Sequence, residues 1–176
     1  MSRGDDVATD FYAIQRQTEP DFCQGDVVTI TSRRRFLRRD APARIPFLDD
    51  TAQAATATAP PHWLIVGNTC DIVRDVAKVE WTQLVPVHEY GPQSDVGADT
   101  LAKFRQYRYA KYFYLPPWDP DEPAQVRFAD LLRPATIHKQ ALSEHASVTA
   151  RMSFEAWVLL HACLVRFLAR DDGRND

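Results

Sequence analysis

The residues best placed to do chemistry lie in one short run, His62-Trp63-Leu64-Ile65-Val66-Gly67-Asn68-Thr69-Cys70-Asp71-Ile72, with Arg74 just beyond it. Leu64, Ile65 and Val66 read as a strand buried on both faces. Asn68, Thr69, Cys70 and Asp71 answer no packing need there and gather four hydrogen-bonding side chains at the strand end. Each also has an ordinary reading. Asp71 suits a helix cap or turn, His62 a surface position beside Pro61, and Cys70 a small apolar filler. A nucleophilic Cys70 would need a base, and no sequence pattern ties a histidine to it. Zinc held by Cys70, His88 or His138 lacks metal-finger spacing, so no metal and no cofactor is expected.

A second feature with chemical potential is Arg33-Arg34-Arg35-Phe36-Leu37-Arg38-Arg39, five cations in seven residues with an aromatic ring among them. Such a run can hold a phosphate backbone and stack a base, and it can equally be a solvated loop. The formal net charge of −3 excludes a chain that wraps duplex nucleic acid through its average surface. Any nucleic-acid contact must come from a local patch.

The elements around these residues follow from pattern. Val27-Val28-Thr29-Ile30-Thr31 is β-branched throughout and follows a Gly25-Asp26 turn, so it is the first expected strand. Residues 62–72 give the second strand and its polar end. Residues 79–87 give a third, in a hairpin with the second, with Pro86 marking an edge or an end. A short helix is expected over 99–108, strands over 111–115, 125–131 and 135–139, and a C-terminal helix capped by Ser153. That helix should bury Phe154, Trp157, Val158, Leu160, His161, Leu164, Val165, Phe167 and Leu168 on the sheet. Phe154, Trp157 and His161 read as packing residues at the edge of the core.

The 176 residues, 45% apolar with four Trp, nine Phe and six Tyr, suit a single packed domain. The expected organisation is an N-terminal arm over 1–21, a body over 22–170 with a long, partly mobile excursion at 33–61, and a frayed tail over 171–176. Cys23, Cys70 and Cys163 are odd in number and widely spaced, which argues against a disulfide framework and for a reducing, cytoplasmic setting. Met1–Asp6 has no apolar core of signal-peptide type, and no stretch approaches the roughly 18 apolar residues of a membrane span, so no membrane association is expected.

Short strands with one late amphipathic helix make a mainly β fold, a small, strongly bent SH3-like barrel. Gln24-Gly25-Asp26-Val27-Val28, Trp63-Leu64-Ile65-Val66, Thr82-Gln83-Leu84-Val85-Pro86-Val87, Tyr114-Leu115-Pro116 and Ala129-Asp130-Leu131 together resemble the MazF/PemK-like barrels of toxin-antitoxin ribonucleases over roughly residues 22–140. Those toxins commonly open the second strand with an Arg-Pro pair that supplies a catalytic cation, and Pro61-His62-Trp63 stands there instead. Where they often carry Ser-Asn-Asp, this chain has Asn68-Thr69-Cys70-Asp71, similar to a divergent branch with Thr-Cys-Asp-Ile and a longer C-terminal helix.

The resemblance implies a toxin-like or defence-associated endoribonuclease acting on single-stranded RNA without a metal. His62 would be base or acid, Asp71 would orient it, Thr69 would donate to a phosphate oxygen and Arg74 would supply charge. Arg33, Arg34, Arg35, Phe36, Arg38, Arg39 and Asn68 would contact RNA. It also implies a homodimer and an antitoxin or other protein partner. Two other readings stand beside it: a non-catalytic protein-interaction module of a defence or stress system that uses Trp63, Trp118 and Tyr114, and a hydrolase centred on Cys70.

Overall fold

The computed structural model describes residues 11–13, 20–30, 62–90, 97–119 and 126–169. The Arg33–Arg39 run, the rest of the 33–61 excursion and the 171–176 tail lie outside the described residues. The strands are β1 (Tyr12–Ala13), β2 (Val27–Ile30), β3 (His62–Ile65), β4 (Trp81–Tyr90), β5 (Tyr112–Leu115), β6 (Val126–Asp130), β7 (Ala135–His138) and β8 (Ala146–Met152). The helices are α1 (Thr69–Ile72), α2 (Ala98–Arg105), α3 (Lys139–His145) and α4 (Phe154–Ala169). The protein is therefore mainly antiparallel β with a few helices. All its ladders belong to one path, β1-β8-β2-β3-β4-β6-β5, with β7 also paired to β4.

Period-two alternation gives this sheet two apolar faces. Val27, Leu64, Val85, Val87, Phe113, Leu115 and Ala129 fall on one, and Val28, Ile65, Leu84 and Ile137 on the other. The first face forms the larger core, which also takes in Phe11, Ala150 and Met152. It curls on itself: the ring of Phe11 lies 6.3 Å from that of Phe113, and the Tyr12 hydroxyl donates to Pro116 O at 2.8 Å. The two ends of the strand order thus meet through side chains. Ala156, Leu160 and Cys163 of α4 pack into the same core, while Leu142 of α3 packs on the other face.

Three sequence expectations change. Pro86 marks no end, since β4 runs on to Tyr90. On one side β4 pairs with β7 only as far as Leu84 and with β6 only from Val87, so Pro86 sits where that ladder changes partner. A missing N–H is harmless at such a gap. The arm's Phe11 is buried and Tyr12–Ala13 pairs with Met152 and Arg151, so this part of residues 1–21 is a strand of the sheet. And α4 turns Phe154, Val158, Val165 and Leu168 to solvent, at 71%, 46%, 64% and 79% exposure, instead of burying them. An all-round apolar helix carries no periodicity that selects its buried face. Ser153 does cap it, accepting from Ala156 N at 3.3 Å.

Strand β8 and helix α3, which no sequence pattern announced, are central to the fold. Strand β8 pairs with β2 through a register shift at Val27/Val28 and presents Arg151 to the interior. The Arg151 guanidinium donates to both carboxylate oxygens of Asp26, at 2.8 and 2.7 Å, and to Pro20 O and Asp21 O. Asp26 is wholly buried and also accepts from Cys23 N at 2.8 Å. Gly25, at φ +92°, makes the turn that aims Asp26 inward. Removing one partner of such a pair leaves a charge stranded in the core. Arg151→Leu is expected to lower unfolding free energy by about 3–5 kcal/mol, read by urea denaturation; a loss under ~1 kcal/mol would show that the pair contributes little.

Candidate functional site

The polar run after β3 is built by close approach to β4. Val66 N and Gly67 N both donate to Gln83 O, at 3.0 and 3.1 Å, and a Cβ on Gly67 would stand 2.1 Å from Thr82 Oγ1. Only glycine fits there, and the strand ends. Asn68, in extended conformation, accepts from Cys70 N at 2.8 Å and starts α1. The cap is thus Asn68, not Asp71. Asp71 sits in the first turn and pairs with Arg74 at 3.1 Å, both largely solvated, so the pair contributes little. Thr69 Oγ1 accepts from Gln24 N at 2.9 Å. Gln24 in turn donates to Val66 O and meets His161 Nε2 at 2.6 Å.

Lys139, buried at the start of α3, closes the run from beneath. Its ammonium donates to Asp71 O at 3.0 Å, Ile72 O at 3.2 Å and Arg74 O. Three carbonyls left without helical partners are thereby satisfied by one cation. The run is consequently a well-braced turn, with Asn68 and Cys70 exposed on its surface.

His62 does not join it. It begins β3 whereas Asn68 and Thr69 follow the strand's end, and three strand steps alone separate His62 from Ile65 by about 10 Å. The expected set of His62, Thr69, Asp71 and Arg74 is therefore divided: Asp71 cannot orient His62, nor can Arg74 supply charge beside it. What surrounds His62 comes from the inward-facing register of neighbouring strands. Its Nδ1 lies 3.0 Å from Thr29 Oγ1, which lies 2.7 Å from Thr149 Oγ1, and its Nε2 lies 3.4 Å from Glu89 Oε1. The same Glu89 oxygen accepts from Arg127 Nε at 2.9 Å, and Glu89 and Arg127 are directly opposed across β4 and β6.

Arg127 is 1% exposed, with its guanidinium carbon 3.9 Å from the centre of the Trp118 ring; His62 meets the same ring edge-on at 5.0 Å. These groups occupy one end of the curled core, where its apolar positions give way to Thr29, His62, Glu89 and Arg127. The side chains of His62 and Glu89 keep 18% and 25% of their exposure. His62 is thus held on both ring nitrogens, partly reachable from solvent, beside a carboxylate that would stabilise its protonated form. That arrangement can move a proton.

Glu89, Arg127 and Thr29 did not emerge as site residues from sequence, and Trp118 did so only as an aromatic for partner binding, although a signal existed. Arg127 alternates in phase with Ala129, and Glu89 with Val87, so both charges stand at inward positions. The other candidates separate. His88 lies 3.5 Å from Asp130, and His138 accepts from Gln140 N as the cap of α3, so Cys70, His88 and His138 do not share a site. Among the described residues no group of three His, Cys, Asp or Glu is arranged to hold a metal. Trp63 packs on the face opposite Trp118, which divides the aromatic set proposed for partner binding. The Cys163 thiol is pushed up by burial.

Compared with known proteins, the chain matches no family model, no curated protein and no solved structure.

Lys139→Met keeps the aliphatic stem of the side chain and removes the ammonium. It is expected to cost about 3 kcal/mol, on the scale of buried polar groups left unsatisfied, with faster amide exchange at 69–74 than at β2 or β3. Unchanged exchange there would show that the turn stands without Lys139.

Proposed function

We propose that the chain is a metal-independent endoribonuclease, toxin-like or defence-associated, acting on single-stranded RNA, and that the curled sheet is an SH3-like barrel of MazF/PemK type. The observation that supports this reading is the proton-capable group His62, held between Thr29 and Glu89 at the polar end of the core. In this scheme His62 takes the 2′-hydroxyl proton as that oxygen attacks phosphorus, the P–O5′ bond breaks to leave a 2′,3′-cyclic phosphate, the departing 5′-oxygen takes up a proton from water, and Glu89 stabilises the imidazolium so formed. Arg127 holds Glu89 in place as a positioning residue. The basic run Arg33–Arg39 enters the chain three residues after β2, and its cations supply RNA affinity. Thr69, Asp71 and Arg74 have no catalytic part in the scheme.

The second reading, a non-catalytic interaction module, is favoured by one observation, the solvent-facing apolar side of α4.

The test is cleavage of an unstructured RNA in EDTA. The wild type is expected to cut. His62→Ala should slow cutting by about 10²–10⁴-fold, the range of a lost general acid or base. Glu89→Gln should cause a smaller loss with an altered pH profile, while Asp71→Ala cuts like the wild type and all variants keep their melting temperature within a few degrees. An inert wild type, or full activity in folded His62→Ala, overturns the reading.

A further inference from the structure

Helix α4 carries an apolar surface that the core does not use. Ala156, Leu160 and Cys163 face inward. On the far side Phe154, Val158, Ala162, Val165 and Ala169 recur at steps of three and four residues, with Leu168 beside them, and all are exposed. The described helix has only Glu155 and Arg166 as charged side chains, with His161 and the buried Cys163 as its other titratable groups. A helix apolar on every side belongs in a buried setting, and α4 has it on one side only.

The two charged residues indicate what covers the other. Glu155 and Arg166 are eleven residues apart, close to three turns, so they lie on the same flank of the apolar stripe. Arg166 is held at that flank by donating to Tyr107 O. The midpoint between Glu155 and Arg166 falls between Leu160 and His161, and that between Phe154 and Leu168 falls at His161, half a residue away. A second α4 laid antiparallel about a two-fold axis through that midpoint brings Glu155 opposite Arg166 twice, on one flank. The same operation brings Phe154 against Leu168 at both ends and Val158 near Val165. A parallel pair would leave the charges at different heights and on opposite flanks. The stripe is thus self-complementary under one symmetry operation.

We propose that two copies of this chain associate through antiparallel packing of α4 on α4, in register at Leu160 and His161. The helix is about 24 Å long, and one helix face is smaller than the roughly 800 Å² per partner of a standard interface, so the dimer is reversible and forms with rising concentration. The inference is independent of the ribonuclease reading.

Sedimentation velocity over about a hundredfold range of concentration tests it on the full chain. The wild type is expected to pass from monomer to dimer. Val165→Glu, which places two like charges in the seam, should remain monomeric with an unchanged helical circular dichroism signal. Glu155→Arg should weaken association several-fold and Glu155→Arg with Arg166→Glu should restore it. A wild type that stays monomeric overturns the proposal, whether or not its Trp157 emission shifts on lipid vesicles, as does a dimer that survives Val165→Glu. A dimer indifferent to the Glu155→Arg reversal overturns the antiparallel register.

Discussion

The fold depends on a buried charge pair that joins the two ends of the described chain. Asp26 precedes β2, and Arg151 lies in β8, 125 residues later. Both are nearly or wholly removed from water. Neither could be tolerated there alone, because an unpaired ion in the core costs several kcal/mol. The pair therefore acts as a registration device. It requires β8 to lie against β2 with Arg151 inward, which places β1 on the outer edge of β8 and starts α4 at Ser153. Since α4 seals one end of the larger core, the position of that seal follows from the contact between one carboxylate and one guanidinium.

Sealing one end leaves the other to be finished differently. There the inward positions of β2, β3, β4 and β6 carry a hydroxyl, an imidazole, a carboxylate and a guanidinium, and each finds partners in the others. Stacking on Trp118 removes one face of Arg127 from water without leaving it in a purely apolar setting. The cluster is compatible with burial because it is connected, and it retains chemical potential because His62 and Glu89 keep some contact with solvent. Structural satisfaction and reactivity coexist here in the same side chains.

Much of the architecture was legible in the sequence because its signals were local. The β-branched Val27–Ile30, the apolar Leu64–Ile65, the alternation through Val85–Val87 and Val126–Asp130, and Ser153 before an apolar run each report their own element. Strand β8 was not legible, since a buried arginine breaks the alternation by which a strand is recognised and its partner lies 125 residues away. The site failed for a related reason. Adjacency along the chain gathered Asn68, Thr69, Cys70, Asp71 and Arg74, and the fold uses those residues to cap and brace a turn. Proximity in space gathered Thr29, His62, Glu89 and Arg127, whose only common property in sequence is an inward register, together with Trp118 from beyond the end of β5. His62 is the member of this second set that the sequence also offered, because it opens the strand that leads into the polar run.

Sharing Glu89 between two cations also decides which member of the cluster can respond to its surroundings. Arg127 is fixed by its stack on Trp118. Glu89 Oε1 accepts from the Arg127 guanidinium at 2.9 Å and lies 3.4 Å from His62 Nε2. Of the three side-chain types, an imidazole is the one whose ordinary range of protonation lies near neutrality. When His62 is neutral the three groups sum to zero; when it is protonated they carry one positive charge at the partly open end of the core. An anion arriving at that end meets a site whose attraction for it depends on one proton. The same proton shifts Glu89 between a single cationic partner and two. Charge state and geometry are therefore coupled through one oxygen atom, Glu89 Oε1, which lies in both contacts.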